Sequence, residues 1–137
     1  MGKDKLMSNE ELGIRNSPSI TLVAEQGASL SSGSLRLYAL PYGCIDLYNY
    51  DPLNRRCAVG IMVATEYRRQ GHALAMLQAL ADQYRSMLHT LYADIATTNT
   101  ASIALFRKAG YTQCGHFKEW LLVNDQYIDS IRMQLIL

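Results

Sequence analysis

From Leu35 to Leu40 apolar and polar residues alternate, which predicts a strand; Pro41-Tyr42-Gly43 follows as a turn and Cys44 to about Asn49 as a second strand. Asp51-Pro52-Leu53-Asn54 is a further turn. Cys57 to Ala64 is nearly all apolar, the pattern of a strand covered on both faces. After Gly71 the period changes. Ala73, Leu77, Leu80, Ala81, Tyr84 and Leu88 draw a single apolar stripe, predicting a helix over 71–88. Leu91 to Thr97 alternates again, so 57–97 reads as a β-α-β unit with parallel strands and a right-handed crossover. A short helix over 100–109 has an Asn/Thr start and a stop at Gly110. Phe117 to Val123 and Tyr127 to Leu137 form the last strands, joined by a tight hairpin at Asn124-Asp125-Gln126. The order β-β-β-α-β-α-β-β predicts an α/β domain with a mixed sheet flanked by helices.

The first part of the chain is less regular. Residues 1–16 are polar and read as frayed or loosely helical. Ser17-Pro18 suits a helix start, with Ile20 to Glu25 continuing it for a turn or two. Gly27 to Ser34 holds two glycines and four serines and reads as a loop. With 137 residues, no internal repeat and no dividing linker, the expectation is one domain over 1–137.

Composition narrows the function classes. Hydrophobic content of 49% and charged content of 18% fit a globular chain. A net charge of +1 makes no case for nucleic acid. No apolar run approaches the ~20 residues of a membrane span and no signal-peptide pattern is present, so no membrane partner is expected. Cys44, Cys57 and Cys114 are odd in number and widely spaced, as in reduced, mostly buried thiols of a cytoplasmic protein. His72, His89 and His116 are equally scattered, and no metal site is expected.

Two segments carry the chemistry. In V-A-T-E-Y-R-R-Q-G-H-A-L-A-M-L, residues 63–77, an apolar strand leads through a polar loop to a helix opened by Gly71. The first turn of that helix presents free N–H groups and the positive end of the macrodipole, which suits a phosphate. Arg68 and Arg69 add positive charge, and Gly71 lets the backbone approach a ligand closely. The second segment is N-T-A-S-I-A-L-F-R-K-A-G-Y, residues 99–111.

R-R-Q-G-H-A resembles the R/Q-x-x-G-x-G/A acyl-CoA signature of the GNAT superfamily of CoA-dependent N-acetyltransferases, and the 99–111 run resembles that superfamily's next motif. The ending E-W-L-L-V-N-D-Q-Y-I-D-S-I-R-M is similar to the branch that acetylates ribosomal-protein N-termini and spermidine. The resemblance covers roughly residues 35–137. Residues 1–34 match poorly, as in a truncated or abbreviated N-terminal region, where the family has a strand and one or two helices walling the acceptor side.

The resemblance implies acetyl-CoA as co-substrate and a primary amine, a small molecule or a protein N-terminus, as acceptor; a homodimer stays open. Backbone groups of Ile61, Met62 and Val63 would bond the pantetheine amides in the manner of an added strand. The amides of Arg69, Gln70, Gly71, His72 and Ala73 would hold the pyrophosphate, with Arg68 and Arg69 adding charge-assisted contacts. Asn99 and Ser102 would bond the pantetheine arm, Phe106 would pack near the thiol, and Lys108 would approach the 3′-phosphate. For Asn99 and Ser102 helix capping is an equal reading, for Ile61, Met62, Val63 and Phe106 plain core, and for Lys108 simple solvation.

The N–H of Ile61 is the implied oxyanion donor as the amine attacks the thioester. Here the chain departs from the family. Phe106 stands where a tyrosine usually reprotonates the thiolate, and Cys57 and Ala58 stand where several members carry a carboxylate base. A thiol with a pKa of ~8.5 leaves without much help. Keeping an amine of pKa ~10.4 neutral at pH 7 costs about 4.6 kcal/mol, against roughly 1 kcal/mol for an α-amine of pKa ~7.8, so a site without a base leans toward α-amines. Asp46, Glu66 and Glu119 are the candidate bases. Two rival readings remain: a catalytically silent acyl-CoA-binding module, favoured by Phe106, and a nucleotide-binding α/β domain. The second lacks both G-x-x-x-x-G-K-S/T and G-x-G-x-x-G.

Overall fold

A single sheet of seven strands, in the order β1-β2-β3-β4-β5-β7-β6, organises the described part of the protein. The structure is a computed structural model and describes residues 20–137. The readings made for residues 1–16 and for a helix start at Ser17-Pro18 lie outside those residues. The strands are β1 (Val23–Ala24), β2 (Leu35–Ala39), β3 (Gly43–Asp51), β4 (Arg56–Val63), β5 (Thr90–Ala96), β6 (Thr112–Val123) and β7 (Gln126–Ile136). The helices are α1 (His72–Tyr84) and α2 (Thr100–Lys108), with short 3-10 turns at Leu30–Ser32 and Thr65–Tyr67. This is the expected mixed sheet with flanking helices.

Three boundaries differ from the sequence reading. Residues 20–25 are not helical: Val23 and Ala24 pair with Tyr38 and Leu37. The open edge of β2 offers backbone partners that one isolated helical turn cannot match, and alternation lets Leu22 reach the core. Helix α1 ends at Tyr84 instead of 88, yet a turn closed by Leu88 N–H onto the Tyr84 carbonyl (2.9 Å) keeps Leu88 in the apolar stripe. Strand β6 begins at Thr112, five positions before Phe117, because pairing with β7 starts at Thr112↔Gln134 whatever the polarity of the side chains. Between β1 and β2 the described residues form a loop and one 3-10 turn, with no α-helix.

One face of the sheet is covered by the helices. Leu37, Ile45, Leu47, Cys57, Val59, Leu91, Ala93 and Met133 meet Met76, Leu77, Leu80 and Leu88 in one core. The other face is polar and half-exposed. On it Arg36 grips Asp46 (Nε–Oδ1 2.6 Å, Nη2–Oδ2 2.8 Å) and Arg132 grips Asp94 (2.7 and 2.9 Å).

β4 and β5 are the parallel pair, but their register runs only through Arg56↔Thr90, Cys57↔Leu91 and Ala58↔Tyr92. Beyond that point β4 continues to Val63 and β5 to Ala96 with no further pairing between them. The two strands part like the arms of a V. The outer arm is held by β3, and one contact there is unusually close. A Cβ on Gly43 would overlap the Met62 carbonyl oxygen and lie 2.9 Å from Val63 Cα. These are backbone atoms that cannot swing aside. Gly43→Ala is therefore expected to cost about 2–3 kcal/mol of stability, read as a lower urea midpoint. An unchanged midpoint would show that β3 and β4 can part here freely.

Candidate functional site: a split strand pair leading to a helix N-terminus

The V between β4 and β5 forms a cleft of about 190 Å³ lined by Gly60 and Ile61 of β4, Asp94 and Ala96 of β5, Tyr48 of β3, Ser102 and Phe106 of α2, and Asn99, the N-cap of that helix. Backbone groups on the facing edges of the V have no sheet partner beyond Ala58 and Tyr92, so an extended amide-bearing ligand would complete both ladders. The spacing 99, 102, 106 brings one face of α2 to the cleft. The Asn99 side chain also caps that helix, accepting from Ser102 N–H at 3.1 Å. Phe106 is 3% exposed and meets Tyr111 edge-to-face with centroids 4.9 Å apart.

A larger hollow of about 420 Å³ continues from the end of β4, bordered by Val63, Tyr67, Arg68, Arg69, Gly71, His72 and Ala73, and by Ala101, Ala104, Leu105 and Lys108 of α2. Among the described residues its charged lining is Arg68, Arg69 and Lys108. Gly71 is the N-cap of α1 at φ +83°, and no side chain caps the helix. The helix ladder begins with Ala75 N–H on the Gly71 carbonyl, 3.1 Å, which leaves the amides ahead of it available to an anion. Arg69 is left-handed as well, at φ +62°. Successive turns of this kind point several N–H groups toward one spot.

The loop is firmly seated. Arg68 Nε donates to the Val63 carbonyl at 3.1 Å, and Gln70 Nε2 to the Glu66 carbonyl at 3.0 Å. The His72 ring is only 8% exposed; it stacks on Tyr42 at 4.0 Å, and its Nδ1 lies 3.1 Å from the Tyr67 carbonyl oxygen. His72 therefore offers a ligand its amide, while its ring fixes the loop.

The structure thus gathers Ile61, Asn99, Ser102 and Phe106 at the cleft, and Val63, Arg68, Arg69, Gly71, His72, Ala73 and Lys108 at the hollow. Met62 and Gln70 line neither, and the Met62 side chain is exposed. Asp46 lines a separate hollow of about 690 Å³, with Glu25, Arg36, Tyr48 and four serines. The Arg36 guanidinium holds the Asp46 carboxyl below the usual carboxylate range. Glu66 sits in the 3-10 turn before the arginine loop. Glu119 lies in the bulged part of β6 at φ +51°, its amide donating to Asp129 at 2.7 Å. That contact first, and His116 second, hold the Asp129 carboxyl below its usual range.

Sequence reasoning missed Ala101, Ala104, Leu105, Tyr48 and Asp94. The α2 residues carried a signal: 101, 104, 105 and 108 share a helical face, with two alanines leaving space at it. Tyr48 and Asp94 come to the cleft through strand register, which no local pattern displays.

The model of the acetyltransferase (GNAT) domain family matches residues 20–112. Among characterised proteins, the spermidine N(1)-acetyltransferase of Vibrio cholerae is 25% identical over 96 residues, covering 69% of this chain and 56% of that enzyme. Its Escherichia coli counterpart is 27% identical over 93 residues, 66% of this chain and 50% of that enzyme. The chain thus spans about half the length of these relatives. Among solved structures, the Vibrio cholerae spermidine N-acetyltransferase in complex with CoA and spermine superimposes with a TM-score of 0.72 at 22% identity, over 77% of this chain and 67% of that one. A dodecameric structure of spermidine N-acetyltransferase from the same organism gives 0.68 at 23% identity, over 76% and 65%. With the split parallel pair, the arginine loop and the family match all in one place, the chain belongs to the GNAT acetyltransferase family.

Proposed function

We propose that this domain transfers an acetyl group from acetyl-CoA to a primary amine. The observation that carries the reading is that β4 and α2 line both the unpaired V and a cationic hollow at an uncapped helix N-terminus. Pantetheine is a chain of amides and phosphates follow it, so one extended molecule meets both halves of the site. Ile61 and Val63 would bond its amides through the backbone, with Met62 contributing main chain alone. The amides of 69–73 would hold the pyrophosphate beside Arg68 and Arg69. Asn99 and Ser102 would serve the pantetheine arm, and Lys108 the 3′-phosphate. The N–H of Ile61 would polarise the thioester carbonyl.

The acceptor class, within this reading, is a small-molecule amine or a protein N-terminus. The two relatives are named for spermidine, which supports testing polyamines first. Against a polycation, Asp46 and Asp94 on the acceptor side are each already held by an arginine. The exposed free thiol of Cys114 suits a reducing compartment such as the cytoplasm. No helix among the described residues is long and apolar enough to cross a membrane. The single sheet of the described residues fits the expectation of one domain. Self-association fits the same reading, since the edge strand β6 exposes Trp120 and Leu122.

Calorimetry with acetyl-CoA, followed by CoA release over a panel of polyamines, aminoglycosides and peptide N-termini, tests the proposal. Binding is expected, with 3′-phospho-ADP, which keeps the pyrophosphate, much weaker because it lacks the pantetheine amides. Absence of acetyl-CoA binding would reject the reading. Binding without acetylation of any acceptor would instead favour a silent acyl-CoA-binding module, the alternative that Phe106 suggests.

A further inference from the structure

We propose that Tyr48 is the acid that protonates the departing CoA sulfur, replacing the hydroxyl that Phe106 lacks; this rests on the acetyl-transfer reading above. Tyr48 and Phe106 line the same cleft, one from β3 and the other from α2. The ring of Tyr48 lies along Gly60, where a Cβ would be 3.7 Å from Tyr48 Cε1. It is therefore beside the Gly60–Ile61 peptide, whose N–H is the oxyanion donor in that reading.

The backbone holds the tyrosine there. Tyr48↔Ala58 is the last regular pair before the register of β3 and β4 shifts, and Asn49 directly after it is left-handed at φ +51°. Bulges of this kind re-aim side chains next to sites. The thiol of Cys57, wholly buried, donates to the Tyr48 carbonyl at 3.2 Å, and burial pushes the Cys57 pKa up to about 11. That thiol keeps its proton and stays a donor at neutral pH. Tyr48 also walls the separate 690 Å³ hollow that holds Asp46 and the serines, so it stands where an acceptor from that hollow would enter the cleft.

Asp94, Tyr92, Arg132 and Cys57 are the ionisable groups whose charge acts on the phenol. Burial first and then Asp94 raise the Tyr48 pKa above its ordinary value, and Asp94 is engaged with Arg132 through both oxygens. The phenol thus remains protonated at neutral pH, ready to donate. In the step, the amine nitrogen bonds to the thioester carbonyl carbon and the C–S bond breaks, its electron pair leaving on sulfur. The Tyr48 O–H proton moves to that sulfur. The phenolate then takes the proton that nitrogen must lose on becoming an amide. Amine and acetyl thioester become amide and thiol, and Tyr48 is regenerated.

Tyr48→Phe removes one oxygen and leaves the ring. It should lower kcat by about a hundredfold while the calorimetric Kd for acetyl-CoA stays within about twofold. The double variant Tyr48→Phe/Phe106→Tyr restores a phenol from α2 and should recover at least about tenfold of that loss. A role in packing alone would not be rescued this way. Wild-type turnover in Tyr48→Phe overturns the proposal, as does a rate loss matched by an equal loss of acetyl-CoA affinity. A wild-type protein that binds acetyl-CoA and acetylates nothing overturns it too. Failure to bind acetyl-CoA at all overturns the acetyl-transfer reading itself, and this proposal with it.

Discussion

Gly71→Asp should weaken acetyl-CoA binding by about a hundredfold while leaving the protein folded. A carboxylate about 4 Å from a phosphate costs roughly 1 kcal/mol in bulk water and about 4 kcal/mol at an effective dielectric of 20; a half-open hollow lies between these limits. A second effect acts in the same direction. The amides at the start of α1 have no side-chain cap, and Asp is a favoured residue at that position. Its own carboxylate would accept from those amides and occupy the place of the pyrophosphate. The left-handed φ of +83° works against any side chain by roughly 1–2 kcal/mol, though Asp tolerates it better than most. Gly71→Ala carries the backbone strain without the charge and serves as the control. It should lower stability and leave affinity within a few-fold. Calorimetry on both variants checks this, with thermal unfolding to establish that each is folded. Unchanged acetyl-CoA affinity in a folded Gly71→Asp variant would remove the pyrophosphate from this helix.

The parts of this site that could be read in the sequence are those whose chemistry lies within one short segment. The loop 68–71 and the stripe of α1 are local patterns: Arg68, Arg69 and Gly71 border the hollow, while Leu77, Leu80, Tyr84 and Leu88 of the stripe join the core. The start of β6 was not legible. Thr112-Gln113-Cys114-Gly115-His116 has no alternation, because an edge strand exposed on both faces places no demand on polarity, and only its ladder to β7 reveals it. The short strand at Val23–Ala24 was hidden for a related reason. Its partner, the edge of β2, lies more than ten residues away, while Ser17-Pro18 is a strong local signal for a helix. Tyr48 and Asp94 reach the cleft from strands whose neighbours are set by register. In each case the deciding contact is long-range, and a single sequence records the residue without the pairing.

With a polyamine acceptor, kcat/KM should rise about tenfold per pH unit from pH 7 to pH 9, and with an α-amine it should level off near pH 8. Attack requires the neutral amine. A group of pKa ~10.4 is deprotonated in only a few molecules per ten thousand at pH 7, and that fraction climbs tenfold with each unit until the pKa is approached. An α-amine of pKa ~7.8 has passed its midpoint by pH 8. The steep climb needs a site without an effective base, and two carboxylates near the cleft are already engaged. Asp46 uses both oxygens on Arg36, which depresses its pKa; a carboxylate below its usual range takes a proton from an ammonium group even less readily than an ordinary one. Asp94 is gripped the same way by Arg132. The Tyr48 phenol, with its pKa raised, stays protonated across this interval, so its ionisation does not bend the profile. Initial rates over this pH range, with acetyl-CoA saturating, check the expectation. A polyamine rate that is already flat near pH 7 would mean that a base does accept the ammonium proton, and single substitutions of Asp46, Glu66 and Glu119 to the amides would then identify it by restoring the slope.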